Sequence, residues 1–235
     1  MNRLSLFSSL ILTMTAALPA PGFPASVLIV PSPNPGEALQ AYTEWAKGPE
    51  GPALLAFVRT TVSALAAGEP LPATNTRFPW LDQAAGVFVT AMKGRQVRAC
   101  VGTFAPTGPT LGDEIAQQCR RLVSEDPRHP PLDPYELDAL RFVVTFTGAA
   151  RHLDDPEAAD IWREGLIARW NGREAVLLPG EAKTLSWGLS FLHRQMKKPK
   201  EEPAVYAAFP VVVVSEPWRR SPADAKRGEK KKNGE

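Results

Sequence analysis

The spacing of apolar positions divides the chain into helical and extended segments. In residues 32–47, "SPNPGEALQAYTEWAK", Leu39, Tyr42 and Trp45 or Ala46 recur near helical spacing and predict a short helix. Leu54, Leu55, Val58, Val62 and Leu65 form a clearer stripe, with Pro52 suited to a first turn and Gly68 placed where a helix stops. "EPLPATNTRFP" reads as a loop. From Trp80 the pattern becomes extended: "GVFVT" (86–90) and "VRACVGTF" (97–104) predict an antiparallel hairpin around "MKGR". Thr110 and Asp113 have the spacing of a capping box, followed by Leu111, Ile115, Cys119 and Leu122 on one helix side. "DPYE" (133–136) repeats that start signal before a strand, "RFVVTF" (141–146).

A brief helix is predicted in "DPEAADIWREG", then a hairpin in "GLIARWNGREAVLLP" (165–179), where Asn171-Gly172 suits a two-residue turn. "EAKTLSWGLSFLHRQMKK" reads as a helix weakened by Gly188. "AVYAAFPVVVVSE" reads as a last strand in which Pro210 removes a ladder donor, which places it at a sheet edge or a bulge. Helices mix irregularly with antiparallel strands, so the expected class is α+β with a mainly antiparallel central sheet.

Composition adds boundaries. Residues 1–25 carry Arg3 as their single charge, an apolar run and then small residues and prolines, the pattern of a cleavable secretory signal, with cleavage open among Ala17, Ala20 and Ala25. The run is shorter than the ~20 residues of a spanning helix, so the expectation is a secreted or periplasmic protein without a stable membrane anchor. A proline-rich connector (26–36) leads to a folded region (37–218) and a basic disordered tail (219–235). That tail holds seven Lys/Arg against three acids within a chain of net charge +2, so the body is mildly acidic and presents no nucleic-acid-binding face.

The candidate chemistry lies on the "VRACVGTF" strand. Period-two alternation puts Val97, Ala99, Val101 and Thr103 on a face buried against helices, and Arg98, Cys100, Gly102 and Phe104 on the other. Arg98 and Cys100 would stand about 7 Å apart at ~3.3 Å per residue, close enough for the guanidinium to stabilise a thiolate. Gly102 leaves space for a ligand or another backbone. The alternative is a small buried cysteine with a structural arginine.

"GVFVTAMKGRQVRACVGTF", "DPRHPPLDPYEL" (126–137) and "GLIARWNGREAVLLP" resemble, in order, the three signature blocks of the AMMECR-one domain family. The family's Leu-Arg-Gly-Cys-Ile-Gly hallmark stands here as Val97 to Gly102, and the resemblance spans roughly residues 37–216. It implies two unequal subdomains around an antiparallel sheet and a cleft near the hallmark strand. Asp126, Arg128, Pro130 and Pro131 match the second block, and Leu177, Leu178 and Pro179 the third. Ala99 replaces the hallmark's first glycine and His129 a usual phenylalanine. In prokaryotes the family resembles one component of the AmmeMemoRadiSam set, with a Memo-type protein and a radical SAM enzyme. Typical relatives lack a signal peptide, and export would separate this chain from those cytosolic partners.

The expectation is therefore a cleft that binds a small anionic or carbonyl-bearing molecule. Cys100 is the candidate nucleophile and Arg98 its charge partner, with Gly102, Thr90, Asp126, Arg128 and His129 as ligand-binding candidates. The other reading is a non-catalytic protein-interaction module in which the strand is structural. Asp126 and Arg128 read first as a loop lock. Cys119 reads as core, with a Cys100–Cys119 disulfide as the alternative in an oxidising compartment. The three histidines are scattered, so no metal site is expected. With no phosphate-loop, dinucleotide or serine-elbow motif, no cofactor is expected either. Trp80, Trp162, Trp170 and Trp187 are expected to pack internally.

Overall fold

The computed structural model describes residues 35–71, 78–81, 86–199 and 201–217. The expected signal segment, most of the expected connector, the 72–77 part of the predicted loop and the basic tail lie outside the described residues.

Helices α1 (Pro35–Lys47), α2 (Glu50–Ala66) and α3 (Leu111–Ser124) cover one face of a sheet whose first strands are β1 (Gly86–Lys93), β2 (Gln96–Thr103) and β3 (Leu140–Thr147). The remaining elements are β4 (Arg151–Leu153), β5 (Glu164–Trp170), β6 (Arg173–Leu177), α4 (Leu185–Met196) and β7 (Val205–Ser215). Strand order is β2-β1-β3-β7-β5-β6 with β4 beside β7, and every pairing is antiparallel. This is an α+β fold.

The predicted caps form. Thr110 Oγ1 accepts from the Asp113 N–H, and Asp133 and Glu136 close a full capping box; Thr184, not singled out in the sequence, caps α4 as well. Asn171 and Gly172 both take positive φ in the β5–β6 turn, as a primed hairpin turn requires. The brief helix expected near residue 160 shrinks to one 3-10 turn at Pro156–Ala158, and the three-residue β4 was too short to show a period.

Pro210 does not lie at an edge but at an irregularity of the ladder, where residues 148–150 stand opposite residues 209 and 210. It pairs with Glu164 of β5, and along its other side β7 changes partner from β4, through Ala208, to β3, from Val211. Proline is tolerated there because its nitrogen faces the changeover, where no residue of β3 or β4 is paired to need a donor, while its carbonyl accepts from Gly148 N–H at 2.9 Å.

Three apolar clusters hold the fold. The largest joins α1–α3 to β1–β3, with Val58, Val62, Phe142 and Phe146 fully buried; each such side chain contributes about 2 kcal/mol. A second places Leu192 and Met196 of α4 on Leu166, Ala168 and Leu177. The third links the opposite face of β1, through Phe88, to Ile167 of β5 and Phe209 of β7. The two halves of the sheet therefore curl towards each other, and Cys100 and Phe104 pack into that seam.

Candidate functional site

As the edge strand, β2 has backbone groups that no neighbouring strand can satisfy. At Cys100 two side chains take the place of the missing strand. Its N–H donates to Asp126 Oδ2 at 2.8 Å, and its carbonyl accepts from Arg128 Nη2 at 2.7 Å. Arg128 also donates from Nε and Nη2 to both oxygens of Asp126, at 2.9 and 2.8 Å. The loop after α3 is thereby riveted to the hallmark strand. Burial alone would raise the Asp126 pKa, but the hydrogen bonds from Arg128 and Cys100 outweigh it and hold the carboxyl below its ordinary value.

Arg98 does not accompany Cys100. Ala91 pairs with Ala99 while Met92 pairs with Val97, so Arg98 is the extra residue of a β-bulge that interrupts the alternation. Its guanidinium forks onto Glu136, Nη2 to Oε1 at 2.6 Å and Nε to Oε2 at 3.1 Å, and donates to the carbonyls of Pro130 and Pro131, each at 3.0 Å. The cation acting on the thiol is Arg128. The bulge also removes Val97 from the helix-covered face and turns it to the cleft, while Ala99 and Val101 stay in the main core as expected.

The Cys100 thiol accepts a hydrogen bond from Thr90 Oγ1 at 3.2 Å, across a pair whose side chains lie close because Cys100 bonds outward rather than to β1. Its pKa is pushed up to about 12, chiefly by burial and then by the Glu181 carboxylate, with Thr90 and Arg128 opposing. The resting group at neutral pH is the thiol. Both cysteines are free, and Cys119 sits in the helix-side core, across the sheet from the seam that holds Cys100. Gly102 does leave space, but a protein ring takes it: a Cβ there would overlap the Phe88 ring paired opposite.

Beside this riveted edge lies a cleft of about 800 Å³, lined by Arg95 of the β1–β2 turn, by Gln96 and Val97 of β2, by Arg128 and His129 of the loop after α3, and from the β6–α4 side by residues including Glu181, Lys183 and Trp187. Trp187 stacks on Phe191, ring centroids 5.5 Å apart and planes 10° apart, and is 47% exposed rather than packed internally. Trp162 is likewise exposed, whereas Trp80 and Trp170 pack as expected. Burial lowers the His129 pKa, Arg128 and Arg98 lower it further and Asp126 opposes, so its imidazole is neutral at pH 7.

Glu181 is the residue the sequence did not announce. Gly180, at φ +79°, turns the chain after Leu178 so that Glu181 Oε2 accepts the Leu178 N–H at 2.9 Å. Glu181 lines both the cleft and a smaller cavity of about 200 Å³ that also touches Thr90. Burial raises its pKa and Asp126 adds to the rise, against the Leu178 N–H and Arg128. The available signal was a lone acid directly after the Pro179-Gly180 turn that ends the third signature block.

Of the expected site residues, Thr90, Cys100, Asp126 and Arg128 come together, and His129 lines the adjoining cleft. Arg98 is engaged at Glu136, Gly102 lies under Phe88, and neither Cys100 nor Arg98 belongs to the cleft lining. Among the described residues no three His, Cys, Asp or Glu side chains cluster as metal ligands, and no helix is long and apolar enough to cross a membrane.

The AMMECR1 family profile matches residues 55–207, from α2 to β7. The chain belongs to that family. A protein of Thermotoga maritima is 35% identical over 96 residues, covering 40% of this chain and 55% of the relative. One of Methanocella arvoryzae is 33% identical over 104 residues, covering 42% and 52%. The chain thus spans little more than half the length of these curated relatives. The crystal structure of uncharacterized protein PH0010 from Pyrococcus horikoshii is similar in fold, with a TM-score of 0.59 at 23% identity, covering 77% of this chain and 95% of that one.

Proposed function

We propose that the cleft between the start of β2 and the β6–α4 segment binds a small anionic molecule bearing a flat apolar group. The observation that carries this is the composition of one wall system: the Trp187–Phe191 stack offers a ring face, and Arg95, Lys183 and Arg128 bring positive charge to the same opening. Aromatic faces favour a flat partner by about 1 kcal/mol beyond area, and the cations select its charge. In this reading Cys100 keeps its proton and packs behind the cleft, and neutral His129 is one of the groups at the opening, with Gln96, Thr184 and Gln195, able to give or take a hydrogen bond.

Calorimetric titration with indole-3-propionate, an aromatic carboxylate, tests the proposal. Saturable binding is expected, weakened about tenfold by either Lys183→Ala or Trp187→Ala, the size of one lost ionic or stacking contact. No binding at millimolar probe, or binding that both variants leave unchanged, would refute it.

A further inference from the structure

We propose that Glu181 makes the inner end of this cleft a receptor for a hydrogen-bond-donating nitrogen, preferably a cationic one, so that the occupant is a zwitterion rather than a simple anion. The inference rests on the cleft reading above and deepens it. One oxygen of Glu181, Oε2, is engaged by the Leu178 N–H. The other, Oε1, is buried and has no hydrogen-bond partner among the described residues. Leaving a buried acceptor without a donor costs about 1–3 kcal/mol, and more when it is charged, so the position is set for a donor that the chain itself does not supply.

The nearby groups do not fill the role. Arg128 acts on Glu181 electrostatically, but its Nε and Nη2 are spent on Asp126 and on the Cys100 carbonyl, and none of its nitrogens hydrogen-bonds Glu181 Oε1. Thr90, which shares the smaller cavity with Glu181, points its hydroxyl at the Cys100 sulfur. A metal ion is a poor candidate, because it needs several converging ligands and Glu181 contributes one open oxygen with no ligand cluster around it among the described residues. A single nitrogen donor needs only that oxygen. The terminal torsion of a glutamate is soft, which leaves the buried Oε1 free to turn towards a donor in the cleft that the residue lines. An ammonium at Glu181 and a carboxylate among Arg95 and Lys183 then match the two signs of charge that the cleft presents.

Titration with L-tryptophan against its desamino analogue, indole-3-propionate, tests the assignment, since the two differ by one ammonium group. The wild-type chain is expected to bind tryptophan about tenfold more tightly, the worth of one charged hydrogen bond. Glu181→Gln, which preserves shape, is expected to abolish that preference while leaving indole-3-propionate within about twofold. Equal affinity of the wild type for both probes overturns the donor assignment and leaves the anion cleft standing, as does a preference that survives in Glu181→Gln. Binding of neither probe overturns both readings.

Discussion

The outer edge of β2 and the turn at Gly180–Glu181 both border the cleft, and they treat their charges in opposite ways. On the β2 side the two arginines that flank Cys100 in the fold are held by the protein itself: Arg98 by Glu136 and two proline carbonyls, Arg128 by Asp126 and the Cys100 backbone. On the Glu181 side one carboxylate oxygen is buried and left open. Charged residues whose hydrogen bonds are complete hold a register. A charge left incomplete stores a preference that only an incoming group can satisfy. The hallmark strand, although it carries the most conspicuous sequence motif, behaves as the first kind, and the less conspicuous turn as the second.

The most sensitive way to break this contrast is through the thiol that lies between the two regions. With its pKa at about 12, Cys100 should react with iodoacetamide at pH 7 about a thousandfold more slowly than a free cysteine, and the rate should climb tenfold per pH unit. Glu181→Gln should speed the reaction at fixed pH, because it removes a carboxylate that disfavours the thiolate. Labelling at the free-cysteine rate, followed by mass spectrometry, would show an open and activated sulfur instead.

Removing one half of the rivet comes next in size. Asp126→Ala strands the Arg128 guanidinium and the Cys100 N–H together, and Asp126 has a side chain only 3% exposed. The expected loss is about 3 kcal/mol in urea unfolding. It should shrink as pH falls, because the wild-type carboxylate, with its depressed pKa, stabilises the fold above the ordinary Asp range and loses that contribution as it protonates. A cost below about 1 kcal/mol would mean that the pair is a surface bridge.

The smallest effect has the opposite sign. Glu181 has a raised pKa, so its folded form is favoured while protonated, below its unfolded value, and this advantage is lost as pH rises through the folded value. Glu181→Gln should therefore leave stability unchanged near pH 4 and raise it by about 1 kcal/mol at pH 8. A glutamine variant less stable than wild type at pH 8 would place Glu181 among the completed charges.

Much of this was legible along the chain because it is local. Thr110, Asp133 and Asn171-Gly172 act on backbone groups within a few residues, so their caps and turns appear as spacings. The apolar stripe of α2 and the signature blocks around Cys100, Asp126 and Leu177 set the class, the family and four of the residues that meet at the edge. What the sequence alone determined ends there. The bulge that diverts Arg98 depends on how β2 pairs with β1, and the same slip sends Val97 to the cleft. The open oxygen of Glu181 exists only because the β6–α4 turn is set against a strand and a loop far away in sequence, none of whose donors hydrogen-bonds it. Tertiary structure decided those points, since pairing register and the shortage of hydrogen-bond partners belong to the assembled sheet and to no segment of it.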